Sequence, residues 1–70
     1  MDYNKLLLLL PDHEIHHIDD AEAEYQSDDH KLILFEYTTD NLNDTLTLLI
    51  NNNIDHTIRT DSYDLQYILI

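Results

Sequence analysis

The sequence predicts a small two-layer α+β fold, an antiparallel sheet covered by one or two helices in the ferredoxin-like order β-α-β-β-α-β. Three observations lead there. Lys31 to Thr39 (KLILFEYTT) is rich in β-branched and aromatic residues, as strands are. Leu42, Leu46, Leu49 and Ile50 recur at helical spacing behind Asp40. A hydrophobic content of 43%, rich in Leu, Ile and Tyr, marks a folded chain rather than an acidic disordered tail. Seventy residues make one domain, 1–70, near the lower limit for folding without a staple, and no cysteine is present to supply one.

Taken in order, Lys5 to Leu10 is a continuous apolar run stopped by Pro11, the pattern of a strand buried on both faces. The run is too short to span a bilayer, which needs about 20 apolar residues. Its flanks, Asp2 and Pro11-Asp12-His13, do not resemble those of a signal peptide. Pro11 is suited to open a helix to about Asp20, with Asp12 and Glu14 at the positive end and Ile15 and Ile18 inward. A strand through Ile15-His16-His17-Ile18 fits nearly as well, and would leave a meander of strands with one helix across it. Ala21 to Tyr25 alternates like a half-buried strand, Ser27 to His30 reads as a turn, and Lys31 to Thr39 closes the hairpin. Asp40 caps the second helix, and Asn51-Asn52-Asn53 ends it, since Asn tolerates the left-handed conformation. His56 to Thr60 forms a short extended piece, Asp61-Ser62 turns, and Tyr63 to Ile70 alternates as a last strand. The ferredoxin-like order puts that strand at a sheet edge, where its apolar end invites a homodimer through the C-terminal strand.

Charge bears on function more than any motif does. Fifteen Asp and Glu face three Lys and Arg, a formal net charge of −12. A surface of that sign repels nucleic acid and anionic membrane and attracts a basic groove on another protein. Eight of the carboxylates, Asp12, Glu14, Asp19, Asp20, Glu22, Glu24, Asp28 and Asp29, fall in one run that contains no Lys or Arg. On a strand, Glu22 and Glu24 would stand about 7 Å apart on one face, near the spacing of successive phosphates. A folded chain of 8.3 kDa exposes roughly 4,600 Å², so an even spread gives each carboxylate about 300 Å². Duplex DNA carries one charge per ~110 Å², so a match in density requires clustering. An ordinary acidic protein uses such a face for solubility, but interleaves both signs to limit self-repulsion. Tyr25, amid the run, offers the apolar anchor that a purely ionic interface lacks.

Two other constellations carry chemistry in principle. His13, His17 and Asp20 share one face if the segment is a helix, and two imidazoles with a carboxylate can ligate a transition metal. The bland reading, a solvated His-rich patch, is preferred, and no metal or other cofactor is expected. The pairs Asp19/Asp20 and Asp28/Asp29 would need a sizeable cleft for acid–base catalysis, which a chain this short can hardly build. No enzymatic activity is expected.

In size, in the acidic run Asp12 to Asp29, in the lack of Cys and in its compact α+β pattern, the chain resembles small acidic inhibitors encoded by phages and mobile elements. That class includes DNA-mimic anti-CRISPR proteins, inhibitors of uracil-DNA glycosylase and antirestriction proteins. The resemblance covers the whole chain in overall character. It implies a protein–protein interaction with the basic nucleic-acid-binding groove of a nuclease complex in the host cytoplasm, without direct contact to nucleic acid or membrane. The alternatives are an acidic immunity protein or antitoxin neutralising a basic toxin, and a small metal-binding accessory protein.

Overall fold

The computed structural model describes residues 2–70. The chain opens on a helix, α1 (Tyr3–Leu9), where a buried strand was expected. The Asp2 side chain caps it, accepting from the Lys5 N–H at 2.8 Å. Leu is a strong helix former without a β-branch, so an aperiodic leucine run takes the helical state once it is capped. Leu6 and Leu10, four apart, are buried, whereas Leu8 is 82% exposed, so the run is amphipathic only as a helix. Pro11 stops it.

The segment expected to be the first helix is instead a strand, β1 (Glu14–His17), followed by one turn of 3-10 helix at Ile18–Asp20. The β-branched Ile15 and Ile18, on either side of two histidines, favour the extended state over the helix that Pro11 was expected to begin. β1 pairs antiparallel with β2 (Leu32–Phe35), in the register Glu14↔Phe35 to His17↔Leu32. The hairpin expected at Ala21 to Thr39 therefore exists with a different first strand. Ala21 to Tyr25 does not pair, and Ala23–Tyr25 forms a second 3-10 turn.

The second helix, α2 (Thr39–Asn51), begins two residues earlier than expected, on the Thr38 hydroxyl, which accepts from the Asn41 N–H at 3.1 Å. Asp40 lies in the first turn. Leu42, Thr45 and Leu49 are buried, Leu46 is half-buried, and Ile50 faces outward. Asn53 ends the helix at φ 56°, as expected, and lets the Ile54 N–H reach the Leu49 carbonyl at 2.9 Å. Two short strands finish the chain, β3 (Thr57–Thr60) and β4 (Gln66–Leu69). Asp61 organises the turn between them, its Oδ1 accepting from the N–H groups of Tyr63 and Leu65 at 2.8 and 2.9 Å. Tyr63 thereby belongs to the turn, and the last strand starts at Gln66.

The sheet order is β1-β2-β4-β3, all neighbours antiparallel, in the chain order α-β-β-α-β-β. The α+β class stands, while the ferredoxin-like element order does not. β4 lies between β2 and β3, so the C-terminal strand is no edge, and the basis expected for a dimer through it is removed. Ile70 also exchanges hydrogen bonds with Leu32 at 2.9 Å in both directions. The edges are β1 and β3.

Alternation splits the apolar residues of the sheet between two faces. Ile15, Leu32, Leu34 and Ile68 pack with Leu6, Leu10, Leu42, Leu49 and Ile54 under the helices. Ile33, Tyr67 and Leu69 form a second apolar face with Ile18, covered by Ala21, Tyr25 and Phe35. Both faces of β2 and β4 are thus buried, one by helices and the other by the irregular link between β1 and β2. Among the described residues, no helix is long and apolar enough to cross a membrane.

Candidate partner-binding site

Residues 18–30 fold back over the sheet as a covering segment, and it carries most of the acidic run. Ile18 anchors its start: its side chain is buried, and its N–H donates to the Lys31 carbonyl at 2.8 Å. The Gln26 amide donates to the carbonyls of Ile18 and Ala21 at 2.8 and 2.7 Å, drawing the two 3-10 turns together. Ser27 meets His30 at 2.6 Å, and His30 meets Thr57 on β3 at 3.2 Å. A segment whose regular structure is limited to two 3-10 turns thus satisfies its backbone partly through side chains.

Tyr25 is the centre of that layer. Its ring meets Phe35 and Tyr67 edge-on, at centroid distances of 5.1 and 5.0 Å, and its hydroxyl donates to Asp61 at 3.0 Å. Burial, then the bond to Asp61 and the nearby carboxylates, push the Tyr25 phenol up to about 12. Burial alone would raise the Asp61 carboxyl, but the N–H groups of Leu65 and Tyr63 and the Tyr25 hydroxyl outweigh it and hold the group below its ordinary value.

The eight acidic candidates separate by what they do inside the protein. Glu14, on β1, accepts from the Tyr37 hydroxyl and lies 3.3 Å from His16. The Tyr37 bond, against slight burial and with help from His16, depresses its carboxyl, and the same bond raises the Tyr37 phenol. Glu24 accepts from the N–H and hydroxyl of Ser62, at 3.3 and 3.1 Å, tying the second 3-10 turn to the β3–β4 turn. Its strand-like pairing with Glu22 is overturned, because Ala23–Tyr25 is a 3-10 turn, so the ~7 Å phosphate-like spacing is lost. Asp12, Asp19, Asp20, Glu22, Asp28 and Asp29 are all exposed. Among the described residues, their carboxylates accept no hydrogen bond from the protein. Five of these six lie in the covering segment, and Asp12 lies apart, in the loop between α1 and β1. The remaining acids are dispersed, with Asp40 and Asp44 on α2 and Asp2 at α1. Dividing the 4761 Å² of accessible surface among fifteen carboxylates leaves about 320 Å² each, well above the ~110 Å² of duplex DNA.

A cleft of about 210 Å³ opens beside the segment, lined by His16, Asp20, Ala21, Glu22, Tyr25 and Phe35. Sequence reasoning chose Asp20, Glu22 and Tyr25 but missed His16 and Phe35. The signal was available, since Ile33 and Phe35 share one parity of the strand that sequence reads most clearly.

The opposite parity explains a further omission. Leu32, Leu34 and Glu36 alternate toward the helical face, so Glu36 enters the interior at 5% exposure. Its Oε1 lies 2.5 Å from His13 Nδ1, with Thr45 Oγ1 3.5 Å from the same nitrogen. His17 stacks on Tyr3 at 4.8 Å. His13, His17 and Asp20, which a helix would have aligned, therefore face different surroundings. Among the described residues no group of three His, Asp or Glu is placed to hold a metal ion. No protein-family model, curated protein or solved structure matches the chain.

Proposed function

We propose that this is a binding protein that inhibits a nucleic-acid-handling partner by occupying its basic groove, in the manner of an anti-CRISPR protein. One observation supports the reading above the rest. Asp19, Asp20, Glu22, Asp28 and Asp29 sit on one anchored layer, exposed and, among the described residues, with no internal hydrogen bond to their carboxylates. Carboxylates left free on an ordered layer keep their full charge for an external cation, and an ordered layer loses little freedom on binding. Acids elsewhere on the surface add a long-range attraction that speeds encounter. Because the charge per area stays below that of a duplex, the attraction comes from total charge plus this one layer, rather than from a copy of the phosphate spacing.

Immobilised protein exposed to lysate at low salt, with the captured protein identified and then challenged with its nucleic acid, tests the reading. Capture of a basic nuclease component, with mutual exclusion between this protein and the nucleic acid, is the expected result. Simultaneous binding of both would sink it. Capture of a basic toxin whose activity does not involve a nucleic-acid groove would assign the same surface to an immunity protein.

A further inference from the structure

We propose that the cleft between Asp20, Glu22, Tyr25 and Phe35 receives the guanidinium of one arginine presented by the basic partner. The proposal rests on the binding reading above and names its anchor. At about 210 Å³ the cleft is smaller than the ~300–1,000 Å³ of small-molecule sites, and suits a single long side chain. Its wall is aromatic. Phe35 and Tyr25 are only half-buried, and the rings packed on Phe35 meet it at 85° for Tyr25, 63° for His16 and 39° for Tyr67. The Phe35 and Tyr25 rings both line the cleft, and the face of an aromatic ring attracts a cation. Two walls are acidic. Asp20 and Glu22 are exposed and accept no hydrogen bond among the described residues, in contrast to Glu14 and Glu24 on either side of them in sequence.

A net charge of −12 excludes an anion from this place, and the aromatic wall distinguishes among cations. A guanidinium is planar, weakly hydrated and forked, so it lies on a ring while its N–H groups reach two carboxylates. An ammonium holds its water more tightly and offers no flat face. The chain's own Arg59, cross-strand from Tyr67 in the sheet, is not among the residues that line the cleft.

The test uses the intact labelled protein at physiological salt, titrated with N-acetyl-arginine amide and, separately, N-acetyl-lysine amide, each carrying one positive charge. NMR shifts of the Phe35 and Tyr25 rings and the Ala21 methyl report the cleft. Saturable shifts there, with the arginine probe roughly three-fold tighter than the lysine probe, are expected. Asp20→Asn with Glu22→Gln should weaken the arginine response, and Asp40→Asn with Asp44→Asn, which removes equal charge from α2, should not. Phe35→Leu should weaken it too; if that variant loses its folded spectrum, the paired carboxylate variants still decide. Equal response to both probes, equal shifts around the whole surface, or no difference between the two charge-neutralised pairs would overturn the cleft. Should the cleft fail while the protein still displaces nucleic acid from its partner, the functional reading stands without it. A responsive cleft in a protein that displaces nothing would leave the cleft and remove that reading.

Discussion

Tyr25 and Asp61, thirty-six residues apart, are joined by a hydrogen bond of 3.0 Å that ties the covering segment to the turn between β3 and β4. The bond makes two features of the sequence interdependent. Tyr25 holds the second apolar face closed, and Asp61 builds the turn that sets β3 against β4.

Alkaline pH should loosen this link. The folded protein holds the Tyr25 proton to about 12 against an ordinary 10.0, so the stabilisation is complete below pH 10 and disappears as pH rises toward 12. Tyr37, raised by its bond to Glu14, adds to the same loss. The urea midpoint should therefore fall across this window. Tyr25→Phe should lower the midpoint at neutral pH and flatten the fall, and adding Tyr37→Phe should flatten it further. An unchanged slope in both variants contradicts the assignment.

On the acid side two effects oppose each other. Lowering the pH reduces the net charge of −12, which relieves self-repulsion and stabilises the fold. Asp61 and Glu14, depressed below their ordinary 3.8 and 4.5, contribute stability that is whole above those values and lost as pH falls through the folded ones. Melting temperature at low salt should thus rise as pH drops from 7 toward 5 and then turn over. In Asp61→Asn the turnover should weaken. A monotonic fall from neutrality would show that repulsion is negligible.

His13→Ala should be severe, because it strands the buried Glu36 carboxylate. Leaving a buried polar group without its hydrogen-bond partner typically costs about 1–3 kcal/mol, and more if it is charged. Replacing both, as His13→Leu with Glu36→Met, should restore most of the loss, and a double-mutant cycle by urea unfolding measures the coupling. Equal losses in the single and double variants would mean that packing rather than charge pairing is at stake.

How much of this was legible in the sequence depends on which force set each element. α2, β3, the Asp61 turn and the core of β2 follow local signals: period, turn residues and β-branching. The first thirty residues do not. The leucine run carries no period to choose helix from strand, and the choice fell to the Asp2 cap and Leu's propensity. Ala21 to Tyr25 alternates, yet β2, the strand it was expected to pair with, already lies between β1 and β4. Of the candidate site, the acidic residues were readable from composition. Which of them are free was not, because Ser62 and Tyr37 reach Glu24 and Glu14 only through the tertiary fold.

That division separates binding from stability. Asp20→Asn with Glu22→Gln should weaken partner binding while leaving the melting temperature unchanged or slightly higher. Glu24→Gln should lower the melting temperature through Ser62 and affect binding less. Calorimetry and a binding titration on each variant decide it, and the reverse ranking would contradict the assignment.

The position of β4 makes its apolar residues structural. Ile68→Ala and Leu69→Ala remove fully buried side chains on opposite faces of a central strand, and each should cost about 2–5 kcal/mol. In so small a domain either loss approaches the whole stability. Chemical denaturation checks the cost. A folded, fully stable Leu69→Ala would place β4 at an edge after all.

The covering segment is held shut against its own field. Six carboxylates, Asp19 to Asp29, crowd thirteen residues that lack any ladder of backbone hydrogen bonds, and a handful of side-chain latches oppose their mutual push. This layer should therefore open before the sheet does, with its amides exchanging with solvent fastest when counterions are scarce. A cationic partner bound as proposed would do the opposite. By neutralising the push it would tighten the layer over Ile33, Tyr67 and Leu69, so that part of the free energy of recognition would be felt as slower exchange in the interior, at residues the partner never touches.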